Sequence, residues 1–245
     1  MNFPSRFVAS VAYAAMICCA NQPQFRKKGS FRLAKAMVIM ITLGLTGATG
    51  AGKGVFADYA VRTFDAVHID TDRIAREVAE KGRPALKEIA EAFGKDVLHP
   101  DGTLDRAALA AVVFADKEKL ERLNHITHRY ILLEAQRRMD KAKADGKALC
   151  ILDAPLLFES GAEKMCDVTV GVIADEKVRK ERIMARDGLT EEKADERLRN
   201  AKDAGFFIRR CDHILENNAS TADFASAAHE LLSRLTENKE NSAHA

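Results

Sequence analysis

Five short apolar runs, at residues 39–45, 66–69, 149–152, 168–173 and 213–215, alternate with helical patterns along the chain. Strand-length runs separated by helices predict an α/β fold built on a parallel sheet with helices on both faces. Residues 55–64 read as a helix directly behind the first strand, and residues 72–79 as one behind the second. Between the second and third strands lies a long, mainly helical insert, from residue 76 to about 145. Pro84 suits the first turn of a helix there, and Phe93-Gly94 suits its end. Pro100-Asp101-Gly102 punctuates as a turn, Asp105 can cap the next helix, and a helical pattern then runs from Asp116 to Asp145 and stops at Gly146. Residues 238–245 are expected to fray.

The first apolar run leads into Gly47-Ala48-Thr49-Gly50-Ala51-Gly52-Lys53, with spacing G-x-x-x-x-G-K. Glycines at these positions let the backbone curl so that successive N–H groups face phosphate oxygens, and the lysine reaches the outer phosphates from the next helix. The following position ordinarily carries a Ser or Thr hydroxyl for Mg²⁺, and here it is Gly54. A nucleotide-phosphate site is the expectation.

Charge changes the picture only after it is divided. The formal net charge of the 245 residues is +2, but residues 1–36 hold six basic side chains and no acid. Without them, 32 basic residues face 36 acidic ones, a body of about −4. That excludes a basic nucleic-acid-binding face as the organising feature. Residues 7–20 form a 14-residue apolar run behind a single Arg, short for a membrane span. Three readings of residues 1–36 stand open: a secretory signal, an organellar transit peptide, or an extension upstream of a start at Met37 or Met40. The last is favoured, with little packing against the 37–240 body, and an ATP-using body argues against export. The five cysteines include no C-x-x-C pair, and Cys150 sits in an apolar run, which fits a reduced, cytoplasmic setting.

Three constellations carry candidate chemistry. In His68-Ile69-Asp70-Thr71-Asp72-Arg73, acids stand at the carboxyl end of a strand, where open α/β sheets bind ligands. Asp70 or Thr71 is expected to cap the following helix, leaving Asp72 to accept a proton or orient a metal. Asp153 ends the third strand and is a second candidate metal anchor. Arg179, Arg182 and Arg186 share one helix face, and the loop Asp187-Gly188-Leu189 with a Thr190 cap suggests a mobile lid closing over phosphate. His125 and His128 lie one helical turn apart without a third ligand, so zinc is not expected. Phe206-Phe207 reads as core.

Several blocks resemble the dephospho-CoA kinase family: Gly44-Leu45-Thr46-Gly47, Ile69-Asp70-Thr71-Asp72-Arg73-Ile74-Ala75-Arg76-Glu77-Val78, Asp101-Gly102-Thr103-Leu104-Asp105-Arg106, Leu152-Asp153-Ala154-Pro155-Leu156-Leu157-Phe158-Glu159, Arg186-Asp187-Gly188-Leu189-Thr190 and Cys211-Asp212-His213-Ile214-Leu215-Glu216-Asn217-Asn218. The resemblance runs in register from about residue 41 to 235. It implies a P-loop NTPase core with a five-stranded parallel sheet, a helical substrate-binding insert at about 76–145 and a lid at about 178–205. It also implies phosphorylation of the 3′-hydroxyl of dephospho-CoA by ATP with Mg²⁺, a small-molecule reaction with no nucleic-acid or membrane partner, in a monomer or small homo-oligomer. By that resemblance Gly47, Thr49, Gly50, Ala51, Gly52, Lys53 and Gly54 hold ATP phosphates, and Asn217 meets adenine. Asp72 is the base, with Lys53, Arg182 and Arg186 completing the catalytic set. Asp72, Arg76 and His128 face the substrate, and Asp72 and Asp153 attend the metal indirectly. The chain departs from the family pattern at Gly54, at His128-Arg129 in place of His-Pro, at Ala201 in place of Gln and at Phe207 in place of Lys. An active kinase, a weak or inactive nucleotide- or CoA-binding relative, and another small-molecule P-loop kinase therefore remain as readings.

Overall fold

A computed structural model describes residues 39–243, so the expectations for residues 1–36 lie outside the described residues, whereas residues 238–243 of the tail expected to fray continue the last helix. The apolar runs form five strands: β1 (Ile41–Gly47), β2 (Val67–Asp70), β3 (Leu149–Asp153), β4 (Val168–Ile173) and β5 (His213–Glu216). They build one parallel sheet in the order β2-β3-β1-β4-β5. Every residue of β1 is buried. It starts and ends two residues later than its hydrophobic run suggests. Thr46 and Gly47 pair with Gly171 and Val172 of β4, and a Cβ at Gly47 would lie 2.2 Å from the Val172 carbonyl oxygen. A close backbone approach, which no apolar pattern encodes, sets that end of the strand.

Side chains alternate across the sheet as the strand period requires. On β3, Leu149 and Ile151 join the core beneath α1 (Lys53–Phe64), whereas Cys150 and Leu152 join a second core on the other face. The second core packs α2 (Thr71–Val78) and the long α5 (Lys117–Ala144) through Ile74, Ala135 and Met139. Between them, α3 (Pro84–Phe93) and α4 (Arg106–Phe114) close a third core of Ile89, Val97, Leu109, Val113 and Ile126. The insert thus has an apolar centre of its own.

The helix boundaries follow local chemistry. Asp70 caps α2 by accepting from the Asp72 and Arg73 amides at 2.8 and 3.1 Å. Asp105 caps α4 through the Ala108 amide, and Asp116 caps α5. Pro84 opens α3, and Gly94, at φ 93°, closes it. On the far side, α6 (Glu176–Asp187) and α7 (Glu191–Arg199) form a helical pair, followed by the short α8 (Ala204–Ile208) and by α9 (Thr221–Ala243) after β5. Thr190 occupies the position before α7, but its hydroxyl makes no cap bond to that helix's backbone. Phe207 is buried in the main core as expected, so the aromatic ring standing where the family carries Lys serves packing. Among the described residues, no helix is long and apolar enough to cross a membrane.

Candidate active site

The glycines of the β1–α1 loop are conformational requirements. Gly50 and Gly52 sit at φ 77° and 107°, in the left-handed region that L side chains resist. A Cβ at Gly52 would stand 2.1 Å from Nδ2 of Asn217. That amide donates to the Ala51 carbonyl at 2.8 Å, while its Oδ1 accepts from Nη2 of Arg182 at 3.2 Å. Asn217, 5% exposed, therefore lies under the loop and links it to α6, with its polar atoms engaged there.

Around the loop opens a cavity of about 1150 Å³, walled by Gly47, Thr49, Gly50, Gly52, Lys53, Gly54, Asp72, Asp153, Arg182 and Arg186 among others. Nζ of Lys53 donates to the Gly47 carbonyl at 2.8 Å. Burial lowers the lysine's pKa, and the nearby carboxylates of Asp153 and Asp72 oppose that shift. Asp72 is open to the cavity, yet its carboxyl is pushed above the ordinary carboxylate range by loss of surrounding water, reinforced by Asp70 and Asp153. Asp153 has its Oδ1 buried with no hydrogen-bond partner among the described residues, while its Oδ2 lies 3.3 Å from Nε2 of His68. Hydrogen bonding to that carboxylate raises the His68 pKa.

The three arginines of α6 divide. Arg186 and Arg182 reach the cavity wall, whereas Arg179 is buried against Gly50 with Nε and Nη1 unpartnered among the described residues. Arg186 forms a two-pronged pair with Asp187, at 2.7 and 2.9 Å, and Arg197 of α7 reaches the same carboxylate. These partners hold the Asp187 carboxyl below its usual range, Arg186 first. Lys180 ties α6 to Glu191 and Asp195 of α7, each at 2.7 Å. Arg197 and Asn200 line the cavity without having been singled out by sequence, because their approach depends on how α7 folds back on α6. Ala201 stands at the wall too, where a Gln would have offered an amide.

A second, smaller cavity of about 260 Å³ meets the first at Asp72 and Pro155. Its walls are mainly apolar and come from the insert, with Ile89, Leu109, Ile131 and Leu132, together with Arg106 and His128. Burial lowers the His128 pKa. Arg76 is exposed and lines neither cavity, although its charge acts on Asp72. Arg129 bonds Glu88, which Tyr130 also reaches at 2.9 Å, so the residue in the family's Pro position ties α5 to α3.

The model of the dephospho-CoA kinase family matches residues 41–223. The chain belongs to that family. It is 38% identical over 196 residues to the dephospho-CoA kinase of Corynebacterium glutamicum, covering 80% of this chain and 98% of the relative. To that of Moorella thermoacetica it is 41% identical over 206 residues, covering 82% and 97%. Among solved structures, the dephospho-CoA kinase from Campylobacter jejuni superposes with a TM-score of 0.62 at 26% identity, covering 82% of this chain and 100% of that one. TT1252 from Thermus thermophilus gives 0.68 at 31%, covering 80% and 98%. Membership accounts for the fold class.

The acidic oxygens at the cavity are hard donors of the kind Mg²⁺ takes, and Asp153 Oδ1 has no hydrogen-bond partner among the described residues. Gly54 offers no ligand of its own. The residues therefore fit a largely hydrated ion.

Proposed function

We propose that this protein transfers the γ-phosphoryl group of ATP to the 3′-hydroxyl of dephospho-CoA, giving CoA and ADP in the last step of CoA synthesis. The observation that carries this reading is the meeting of two cavities at Asp72, one lined by the phosphate loop and basic side chains, the other by apolar residues of the insert. In-line transfer requires an acceptor hydroxyl to meet the terminal phosphate at a base, and Asp72 stands at that junction. Loop amides and Lys53 hold the phosphates, the lysine exchanging its bond to the Gly47 carbonyl for phosphate oxygens. Asp72 takes the hydroxyl proton, and its raised pKa makes it a stronger base than an ordinary carboxylate. Arg182 and Arg186 offset charge on the transferring group. Asp72 and Asp153 would hold a Mg²⁺ ion, which when bound would neutralise charge on the phosphates. Arg106 and His128 meet the CoA body in the second cavity, and Arg76, outside both cavities, acts through its charge on Asp72. Asn217 acts from beneath the loop, setting the position of Ala51 and Arg182 rather than touching adenine.

Gly54 favours a second reading, a weak or inactive relative that binds nucleotide or CoA. The full-length protein incubated with ATP, Mg²⁺ and dephospho-CoA separates the two. Stoichiometric CoA and ADP support transfer. Nucleotide binding without CoA formation supports the second reading.

A further inference from the structure

We infer that His68 is a positioning residue for phosphoryl transfer: from β2 it holds one oxygen of Asp153 and so fixes the orientation of a carboxylate that lines the phosphate cavity. The inference rests on the proposed role of Asp153 beside the metal. Sheet register makes the contact possible. Asp70 pairs with Asp153 and His68 with Ile151, so the side chains of His68, Asp70 and Asp153 fall on the same face of adjacent strands. A carboxylate only accepts, so Nε2 of His68 carries the proton in the 3.3 Å contact to Oδ2. The Asp153 backbone is fixed from the same strand end, where the Thr71 hydroxyl donates to its carbonyl at 3.0 Å.

The terminal torsion of an aspartate is broad, so backbone placement alone leaves its two oxygens free to exchange positions. His68 removes that freedom. The shielding is on the aspartate side: the Asp153 side chain is only 14% exposed against 28% for His68, and its second oxygen has no partner among the described residues. The charged groups that act most strongly on His68 are acidic, namely Asp153, Asp70 and Asp58 of α1. Among the described residues no Lys or Arg forms an ion pair with that carboxylate, although the charge of Lys53 acts on it from farther away. Partners that orient a metal-side ligand typically alter metal affinity or activity by about 10–100-fold when removed. Ligation through water places this case at the lower end.

The test compares His68→Leu, His68→Gln, Asp153→Asn and the double variants in the full-length protein. Mn²⁺ binding to the protein–ATP complex is read from the free-ion resonance, beside kcat, both KM values and the melting temperature. His68→Leu is expected to weaken Mn²⁺ binding by about tenfold and to lower kcat while leaving the KM for dephospho-CoA unchanged. His68→Gln, whose amide can donate to Oδ2, should recover most of the loss. Adding His68→Leu to Asp153→Asn should change little, since the histidine acts through that carboxylate. Equal losses in both backgrounds, or a Gln variant as impaired as Leu, would overturn the inference. A silent His68→Leu beside an impaired Asp153→Asn removes the histidine's role alone. Parental Mn²⁺ affinity and kcat in Asp153→Asn would instead overturn the reading of Asp153. If His68→Leu does not fold, His68→Ala carries the same expectations.

Discussion

Gly54 stands where a hydroxyl would reach a metal, and a Cβ built there meets nothing within 4 Å. Space is therefore no obstacle to Gly54→Ser. Glycine in a first helical turn costs up to about 1 kcal/mol against better helix formers, so the substitution should raise the melting temperature slightly. It is also expected to raise kcat or to lower the Mg²⁺ concentration that half-activates the enzyme. Unchanged values of both would show that the loop holds its metal fully without that ligand. Asp72→Asn should reduce kcat by about 10²–10⁴-fold, roughly 3–5 kcal/mol, with ATP affinity retained in equilibrium titrations. Near-parental turnover would reassign the base. Lys53, Asp72 and the loop glycines were legible because their signals are local: a fixed spacing and a strand end. His68 and Asn217 were not legible as partners of Asp153 and Ala51, because those contacts exist only once strand order and register are fixed.

At the scale of elements, α2 and α5 are joined by a chain of charges that helix patterns alone do not reveal. Glu134 accepts from Arg137 at 2.7 and 2.8 Å and from Arg138 at 2.8 Å, and Arg138 also bonds Glu77 of α2. Hydrogen bonding, Arg137 first, holds the Glu134 carboxyl down to about 2. A depressed carboxyl contributes stability above its unfolded value near 4.5 and loses it as pH falls toward 2. The group is partly solvated, so the contribution is small, about 0.2–1 kcal/mol. Glu134→Gln should lower urea-derived stability by that amount at pH 7, and the gap from parent should narrow between pH 4.5 and 3. A gap that does not change with pH would show that Glu134 acts by packing. The starts of α3 and α4 were legible from Pro84 and Asp105 because a cap is chosen within one turn. The division of labour among Arg179, Arg182 and Arg186 was not, since a shared face says nothing about which residue the loop covers.

Across the whole molecule, the insert has an apolar centre of its own, while its long helix α5 also packs on the sheet in the second core through Ala135 and Met139. Ile89, 1% exposed, belongs to the insert's core and lines the second cavity. Ile89→Ala should cost about 2–5 kcal/mol of unfolding stability and raise the KM for dephospho-CoA more than that for ATP. Equal rises in both would mean that the insert's core is coupled to the phosphate loop. The α/β class, the insert and the five strand-length runs were legible as alternation, whereas the strand order, which brings Asp153 beside the loop, required the fold. The bond from Asn217 to Ala51 spans 166 positions. During synthesis the ribosome releases the glycine-rich turn early, yet the amide that sets its shape is among the last parts of the sheet to emerge. A nascent chain therefore carries the complete recognition motif before the amide that braces the Ala51 carbonyl exists.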